Sequence, residues 1–251
     1  MLNNCDNMMD KKIYKIKSKA LGNPMEIISY GHYGSSLLLF PSITDSPYEN
    51  ETEGLIDALT DFLEKGKLRI FSVGAVNFDS WLNETIPYEK RSEIHRKYNK
   101  FIQDEVVPLI FSLTDGPSPI ITTGAAIGAF HAANSYFRRP DLFYGTIAMS
   151  GTFNIEHYSK GYFDSNCYFN SPIHYLSNLE HPYWLSSLQS KHHVYILTGS
   201  GKDEYPHNSI HLSEILNSKG IRHHLDIWNQ GYHHCFNTWK MMLRHLLDTK
   251  L

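Results

Sequence analysis

The chain has 251 residues and carries 23 Lys+Arg against 26 Asp+Glu, a formal charge of −3 with its 15 histidines neutral. That balance excludes the basic footprint of a nucleic-acid-binding or polybasic membrane-surface protein, so neither partner is expected. A composition of 41% hydrophobic and 20% charged residues excludes disorder, collagen and coiled coil, and a chain of this length can bury one sizeable core without disulfides or metals.

Residues 1–12 are polar, lack the apolar stretch of a signal peptide, and are expected to fray. From residue 13 to 251 the chain reads as a single domain. In order, the pattern predicts strands Ile13–Lys17, Glu26–Tyr30 and Leu37–Phe40, a helix Glu53–Glu64, a strand Leu68–Val73 and a long helix Lys90–Phe111. Strand Ile120–Thr123, helix Ile127–Phe137 and strands Tyr144–Met149 and Val194–Thr198 follow. Helix Ser209–Ser218, strand His224–Trp228 and helix Phe236–Leu247 complete the chain. Ile94, Tyr98, Phe101, Ile102, Val106 and Leu109 recur at three- and four-residue spacing and form one helical stripe. Gly220 stands where a left-handed cap would end the helix before it. Hairpin-like strands followed by alternating strand and helix imply an α/β fold, a mostly parallel sheet with helices on both faces. Ligands in such sheets bind beyond the carboxyl ends of the strands. No apolar run is long enough to span a bilayer.

The segment Pro119 to Phe130 runs an apolar strand into Gly124-Ala125-Ala126-Ile127-Gly128 and then into a helix. This is the spacing of a nucleophile elbow, Gly-x-Ser-x-Gly, with Ala126 in the serine position. The same five residues would also serve as a tight packing turn. The longer context separates the two readings. Gly124 to Asn134, Phe137-Arg138-Arg139-Pro140-Asp141-Leu142-Phe143, Ala148-Met149-Ser150-Gly151 and Tyr168-Phe169-Asn170-Ser171-Pro172 resemble the serine-esterase family of α/β-hydrolases, the group of esterase-D-like and enterochelin-esterase-like proteins. Gly54 to Leu59, Asp79-Ser80-Trp81 and Asp104-Glu105-Val106-Val107-Pro108 resemble it as well, and the likeness runs from about residue 25 onward.

The resemblance implies an α/β-hydrolase fold and ester hydrolysis by a Ser–His–acid triad without a cofactor. It places the base in Gly231 to Trp239, with His234 matching better than His233, and the acid at Glu204 or Asp203. It also implies two oxyanion donors, the backbone N–H of Ile127 and one from the turn that includes Ser42 and Ile43. Two departures stand out. Ala126 has no oxygen to deprotonate, and losing such a nucleophile removes about 10⁶ in turnover, or roughly 8 kcal/mol of barrier. The turn Pro41-Ser42-Ile43-Thr44-Asp45 carries a bulky and an anionic residue where glycines are usual in the family. Ala126 is either an experimental Ser→Ala change or a natural loss; the remaining His234 and Glu204 fit the first, the altered turn the second. The expectation is an esterase-like scaffold inactive by the serine route. The alternative is a pseudoenzyme that binds a small ligand, such as an ester, or a protein.

Residues 153–188 are rich in rings, including Tyr158, Tyr168, Phe169, Tyr175 and Trp184, and could form a cap-like insertion over the site or pack on their own core. Exposed edge strands and aromatic surface would also suit a homo-oligomer. The pairs His192-His193, His223-His224 and His233-His234 lack metal-ligand spacing, so a metal-dependent hydrolase is the weakest reading and no metal is expected. Gly199-Ser200-Gly201-Lys202 is too short for a phosphate loop. Cys5, Cys167 and Cys235 form no disulfide framework, in keeping with a cytoplasmic protein.

Overall fold

In the computed structural model, residues 10–191 and 193–250 are described. Eight strands form one sheet: β1 Lys11–Lys17, β2 Pro24–Tyr30, β3 Ser35–Leu39, β4 Leu68–Val73, β5 Ile120–Ala125, β6 Gly145–Met149, β7 His193–Thr198 and β8 His224–Ile227. Their order is β1-β2-β4-β3-β5-β6-β7-β8. Only the pairings of β1 with β2 and β2 with β4 are antiparallel; the rest are parallel.

Alternation along the strands builds two cores. Leu38, Phe71, Ile120, Ala148, Val194 and Ile196 point to one face, while Leu37, Leu39, Ile70, Ile121, Ile147, Tyr195 and Leu197 point to the other. Period-two alternation of apolar residues on both faces is what a sheet sandwiched between helices requires. The first face is covered by α3 (Tyr88–Phe101), α4 (Val107–Leu113), α5 (Ile127–Arg138) and α10 (Pro206–Ser218). The second is covered by α2 (Thr60–Glu64) and α11 (Phe236–Lys250), whose Trp239, Met242, Leu243 and Leu246 recur at helical spacing.

The expected strands all occur, with ends shifted by a few residues. The helices differ in instructive ways. Instead of one helix over 53–64 there is a short α1 (Glu49–Thr52), a 3₁₀ turn at Asp57–Leu59 and then α2. Gly54, at φ +73°, takes the left-handed conformation that stops α1 and turns the chain. The long helix over 90–111 contains a π-helical turn at Ile102–Val106 between α3 and α4. Pro108 cannot donate to the carbonyl four residues back, and the wider turn just before it accommodates the ring. Gly220 does cap α10, at φ +63°, with Ile221 N–H donating to Leu216 O.

Residues 153–188 hold four short helices: α6 (Glu156–Ser159), α7 (Ser165–Phe169), α8 (Pro172–Ser177) and α9 (Pro182–Gln189). Asp164 caps α7 by accepting from Cys167 N–H at 2.7 Å, and Pro172 and Pro182 open α8 and α9. Residues 1–9, part of the segment expected to fray, lie outside the described residues, as do Cys5 and His192. Lys11 and Lys12 belong to β1 instead of fraying; Lys11 pairs in register with Tyr30, and its ammonium reaches Glu51 at 2.6 Å.

Candidate active site

β5 ends at Ala125 and α5 begins at Ile127, leaving Ala126 alone at the bend with φ 50° and ψ −121°. An L-residue held there is strained by about 1–3 kcal/mol. The bend is locked on both sides. Ala126 N–H donates to Met149 O at 3.0 Å, and Phe130 N–H donates to Ala126 O at 3.3 Å. The flanking glycines are sterically required: a Cβ on Gly124 would stand 2.6 Å from the Gly128 carbonyl, and one on Gly128 would stand 2.6 Å from Pro41 O. The alanine therefore sits on the strained strand-to-helix turn that presents a nucleophile in Gly-x-Ser-x-Gly proteins.

Its methyl faces a cleft of about 400 Å³ at the carboxyl ends of the parallel strands, lined also by Ile127, Ser150, His234, Leu82 and Tyr158. Five described non-glycine residues have left-handed φ, and three of them, Ala126, Ser150 and Asp203, border this cleft. Such outliers gather where surrounding contacts over-determine a functional geometry.

His234 and Glu204 meet here. His234 Nδ1 lies 3.5 Å from Glu204 Oε2, a separation longer than a well-formed hydrogen bond. The Glu204 side chain is 1% exposed and that of His234 27%. Glu204 Oε1 accepts from Ser150 Oγ at 2.6 Å and Oε2 from Thr198 Oγ1 at 3.2 Å. Trp239 Nε1 in turn donates to Ser150 Oγ at 3.1 Å. Burial alone would raise the Glu204 carboxyl, but the adjacent His234 imidazole and the hydrogen-bonding hydroxyls of Ser150 and Thr198 hold it below its ordinary range. The imidazole is positioned by His234 N–H donating to Lys202 O and by its ring packing edge-on against Trp239, centroids 5.0 Å apart. A buried, hydrogen-bonded carboxylate thus faces a partly exposed imidazole.

Of the two candidate acids, Glu204 faces the imidazole, while Asp203 is exposed at the cleft rim with φ +62°. The neighbouring His233 is exposed; its Nδ1 accepts from Lys202 N–H at 2.8 Å and tightens the loop.

The turn after β3 departs from expectation. Ser42 and Ile43, expected to supply an oxyanion donor, already donate their N–H groups to Glu49 at 2.6 Å and 3.1 Å, and Thr44 N–H donates to the same carboxylate. Consecutive N–H groups on one side of a turn make a small anion-binding nest. Glu49, only 7% exposed, fills it from the start of α1. Asp45 turns away from this nest to accept from Asn77 and Phe78 N–H; burial raises its carboxyl, partly offset by those two donors. Ile127 N–H opens α5, where the first N–H groups have no intrahelical acceptor.

Sequence reading assigned no role to Ser150, Thr198, Trp239 or Glu49. Ser150 follows β6, which pairs with the elbow strand β5, and Thr198 ends β7, one strand further out; the Ser150–Trp239 link spans 89 positions, whereas Glu49 reaches back only 5 to 7 positions to the turn it fills. The glycines of Gly199-Ser200-Gly201-Lys202 serve the base loop, since a Cβ on Gly199 would stand 2.2 Å from Tyr232 O. His223 bonds to Ser213, and His224 stacks on Tyr195. Among the described residues no three His, Cys, Asp or Glu side chains are grouped to hold a metal ion. Cys167 and Cys235 are free thiols, and no described helix is long and apolar enough to cross a membrane.

No protein-family model and no curated protein sequence matches the chain. Its fold, in contrast, is similar to that of many solved structures. A ferulic acid esterase superposes with a TM-score of 0.72 at 15% identity, over 95% of this chain and 96% of that one. The CE1 ferulic acid esterase of Anaeromyces mucronatus gives 0.69 at 13% identity, over 99% and 93%. An S-formylglutathione hydrolase from Staphylococcus aureus gives 0.64 at 12% identity, over 96% and 95%. With its eight-stranded, mostly parallel sheet and helices on both faces, the chain has the α/β-hydrolase fold that these esterases share.

Proposed function

We propose that the chain is a non-hydrolysing member of the esterase-type α/β-hydrolases, a protein that binds carboxylic esters in the cleft without turning them over. The observation that carries this reading is Ala126: a methyl group at the left-handed apex of the elbow, in one cleft with the His234–Glu204 pair. In a serine esterase the base takes a proton from the hydroxyl as it attacks the acyl carbon, and a backbone hole stabilises the oxyanion. Here the base and its acid stand ready, but the attacking oxygen is missing. The donors of the turn after β3 serve Glu49 instead. What remains is a mostly apolar cleft with a few polar groups, the composition of a small-molecule binding site. The free thiols at Cys167 and Cys235 suit a reducing, cytoplasmic setting.

The test compares the native chain, His234→Ala and Ala126→Ser with p-nitrophenyl acetate and butyrate. The native chain is expected to hydrolyse no faster than His234→Ala while its thermal midpoint rises saturably with ester concentration. Ala126→Ser is expected to gain turnover. Native hydrolysis that disappears in His234→Ala would overturn the proposal.

A further inference from the structure

A second cavity of about 450 Å³ opens at the far end of α5, twelve residues and about 18 Å along the helix from Ala126. Its walls are rings from the 153–188 segment, chiefly Tyr168, Phe169, Tyr175 and Trp184, and its polar wall includes Arg138, the last residue of α5. Phe169 is 57% exposed, an unusual state for a phenylalanine whose neighbours already form an apolar recess.

Arg138 is the unusual charge in this region. One guanidinium N–H donates to Asn170 Oδ1 at 2.8 Å, and that oxygen is itself fixed by the amides of Asn99 and Asn134. Among the described residues the guanidinium makes no other hydrogen bond. No carboxylate among the described residues lies within ion-pair distance of it, whereas the adjacent Arg139 is matched by Asp141 at 2.7 Å. Burial lowers the pKa of Arg138, an effect consistent with a cation set into the wall without a counter-ion. The carbonyl end of α5 favours a cation there, but it does not use the guanidinium's free donors. Glu180 lines the same cavity and is exposed, and it forms no ion pair with Arg138.

We propose that this cavity is a binding site for a small aromatic carboxylate, its ring held among Tyr168, Phe169 and Trp184 and its anion paired with Arg138. A planar guanidinium held by a fixed oxygen offers two parallel donors to a carboxylate. The rings supply apolar area and stacking at small entropic cost. The volume falls within the range of small-molecule sites. The site is independent of the ester cleft.

The test titrates 2-naphthoate and the neutral 2-naphthalenemethanol into the native chain by calorimetry. Naphthoate is expected to bind at least tenfold tighter than the alcohol. Arg138→Gln should remove that preference and leave alcohol binding unchanged. Phe169→Ala, at an exposed position that leaves folding intact, should weaken both ligands, and Glu180→Gln should tighten naphthoate two- to fivefold. Leu82→Trp, which obstructs the ester cleft, should leave naphthoate affinity unchanged. Equal binding of acid and alcohol, no binding of either, or loss of naphthoate in Leu82→Trp with no effect of Phe169→Ala would each overturn the proposal.

Discussion

The two walls of the cleft beside Ala126 are held together by different things. On one, Glu204 is buried and tied to Ser150, Thr198 and, through Ser150, to Trp239, with His234 against it. On the other, Ala126 presents a methyl and Glu49 takes up the N–H groups of Ser42, Ile43 and Thr44. A buried carboxylate needs its donors for stability whether or not chemistry occurs, since an unpaired one is strongly destabilising. A hydroxyl at the apex of a bend has no such constraint. The Glu204 network can thus persist on structural grounds alone, so under the proposed function its presence says less about catalysis than the methyl at Ala126 does.

The largest effect should come from restoring the oxygen. A nucleophile contributes about 10⁶ to turnover, and one missing oxyanion donor costs about 10²–10³. Ala126→Ser should therefore gain about 10³–10⁴ over the native chain in initial-rate assays with p-nitrophenyl esters. A gain near 10⁶ would show that the turn after β3 does supply its donor despite Glu49. In the Ala126→Ser background, His234→Ala should then remove about 10²–10⁴ of that gain, within the usual contribution of a general base. An undiminished rate would detach His234 from the chemistry.

A smaller effect concerns the packing behind the elbow. His131 on α5 and His95 on α3 are buried together, rings 5.4 Å apart, bonded to Asn77 and Trp81. Burial lowers both, His131 to about 3, and the proximity of His131 and Arg138 adds to the effect at His95. Their folded pKa values lie below the unfolded value of about 6.5, so the unfolded chain takes up protons first as the pH falls. Stability is fully present above about pH 6.5 and is lost toward pH 3, at up to about 1.4 kcal/mol per pH unit for each histidine. Urea midpoints at pH 7.5 and 5 should show the loss, and His131→Asn should flatten it. Glu204, whose carboxyl is held low, adds a further loss only as the pH falls below about 4.3.

The smallest effect probes the bend itself. Ala126→Gly removes the left-handed strain but gives the unfolded chain more freedom, for a net stabilisation of about 1 kcal/mol. A destabilised variant in thermal melts would mean that the methyl's packing against the core beneath outweighs its strain.

The sequence carried the sheet and the elbow clearly because both depend on local patterns. A short unbroken apolar run marks strands such as Leu37–Phe40, and close glycine spacing marks the turn at Gly124–Gly128. The broken helix at Gly54 and the π turn before Pro108 were less legible, since apolar spacing continued through both interruptions. Helices α6 to α9 were too short to show a period. The Ser150–Trp239 link was illegible because it joins segments 89 positions apart, and the Glu49 nest, though it spans only 5 to 7 positions, depends on a turn geometry that no residue pattern marks. Glu204 matched the family position only slightly better than Asp203; the left-handed turn at Asp203 directs only Glu204 toward His234.

The most direct measurement is covalent labelling of the native chain and the Ala126→Ser variant with a fluorophosphonate, followed by peptide mass spectrometry. The variant should gain one phosphonyl group on the peptide containing position 126, and the label should vanish when His234→Ala is added; the native chain should remain unlabelled there. A folded Ala126→Ser variant that neither labels at that peptide nor hydrolyses esters would contradict the assignment of Ala126 to the nucleophile position.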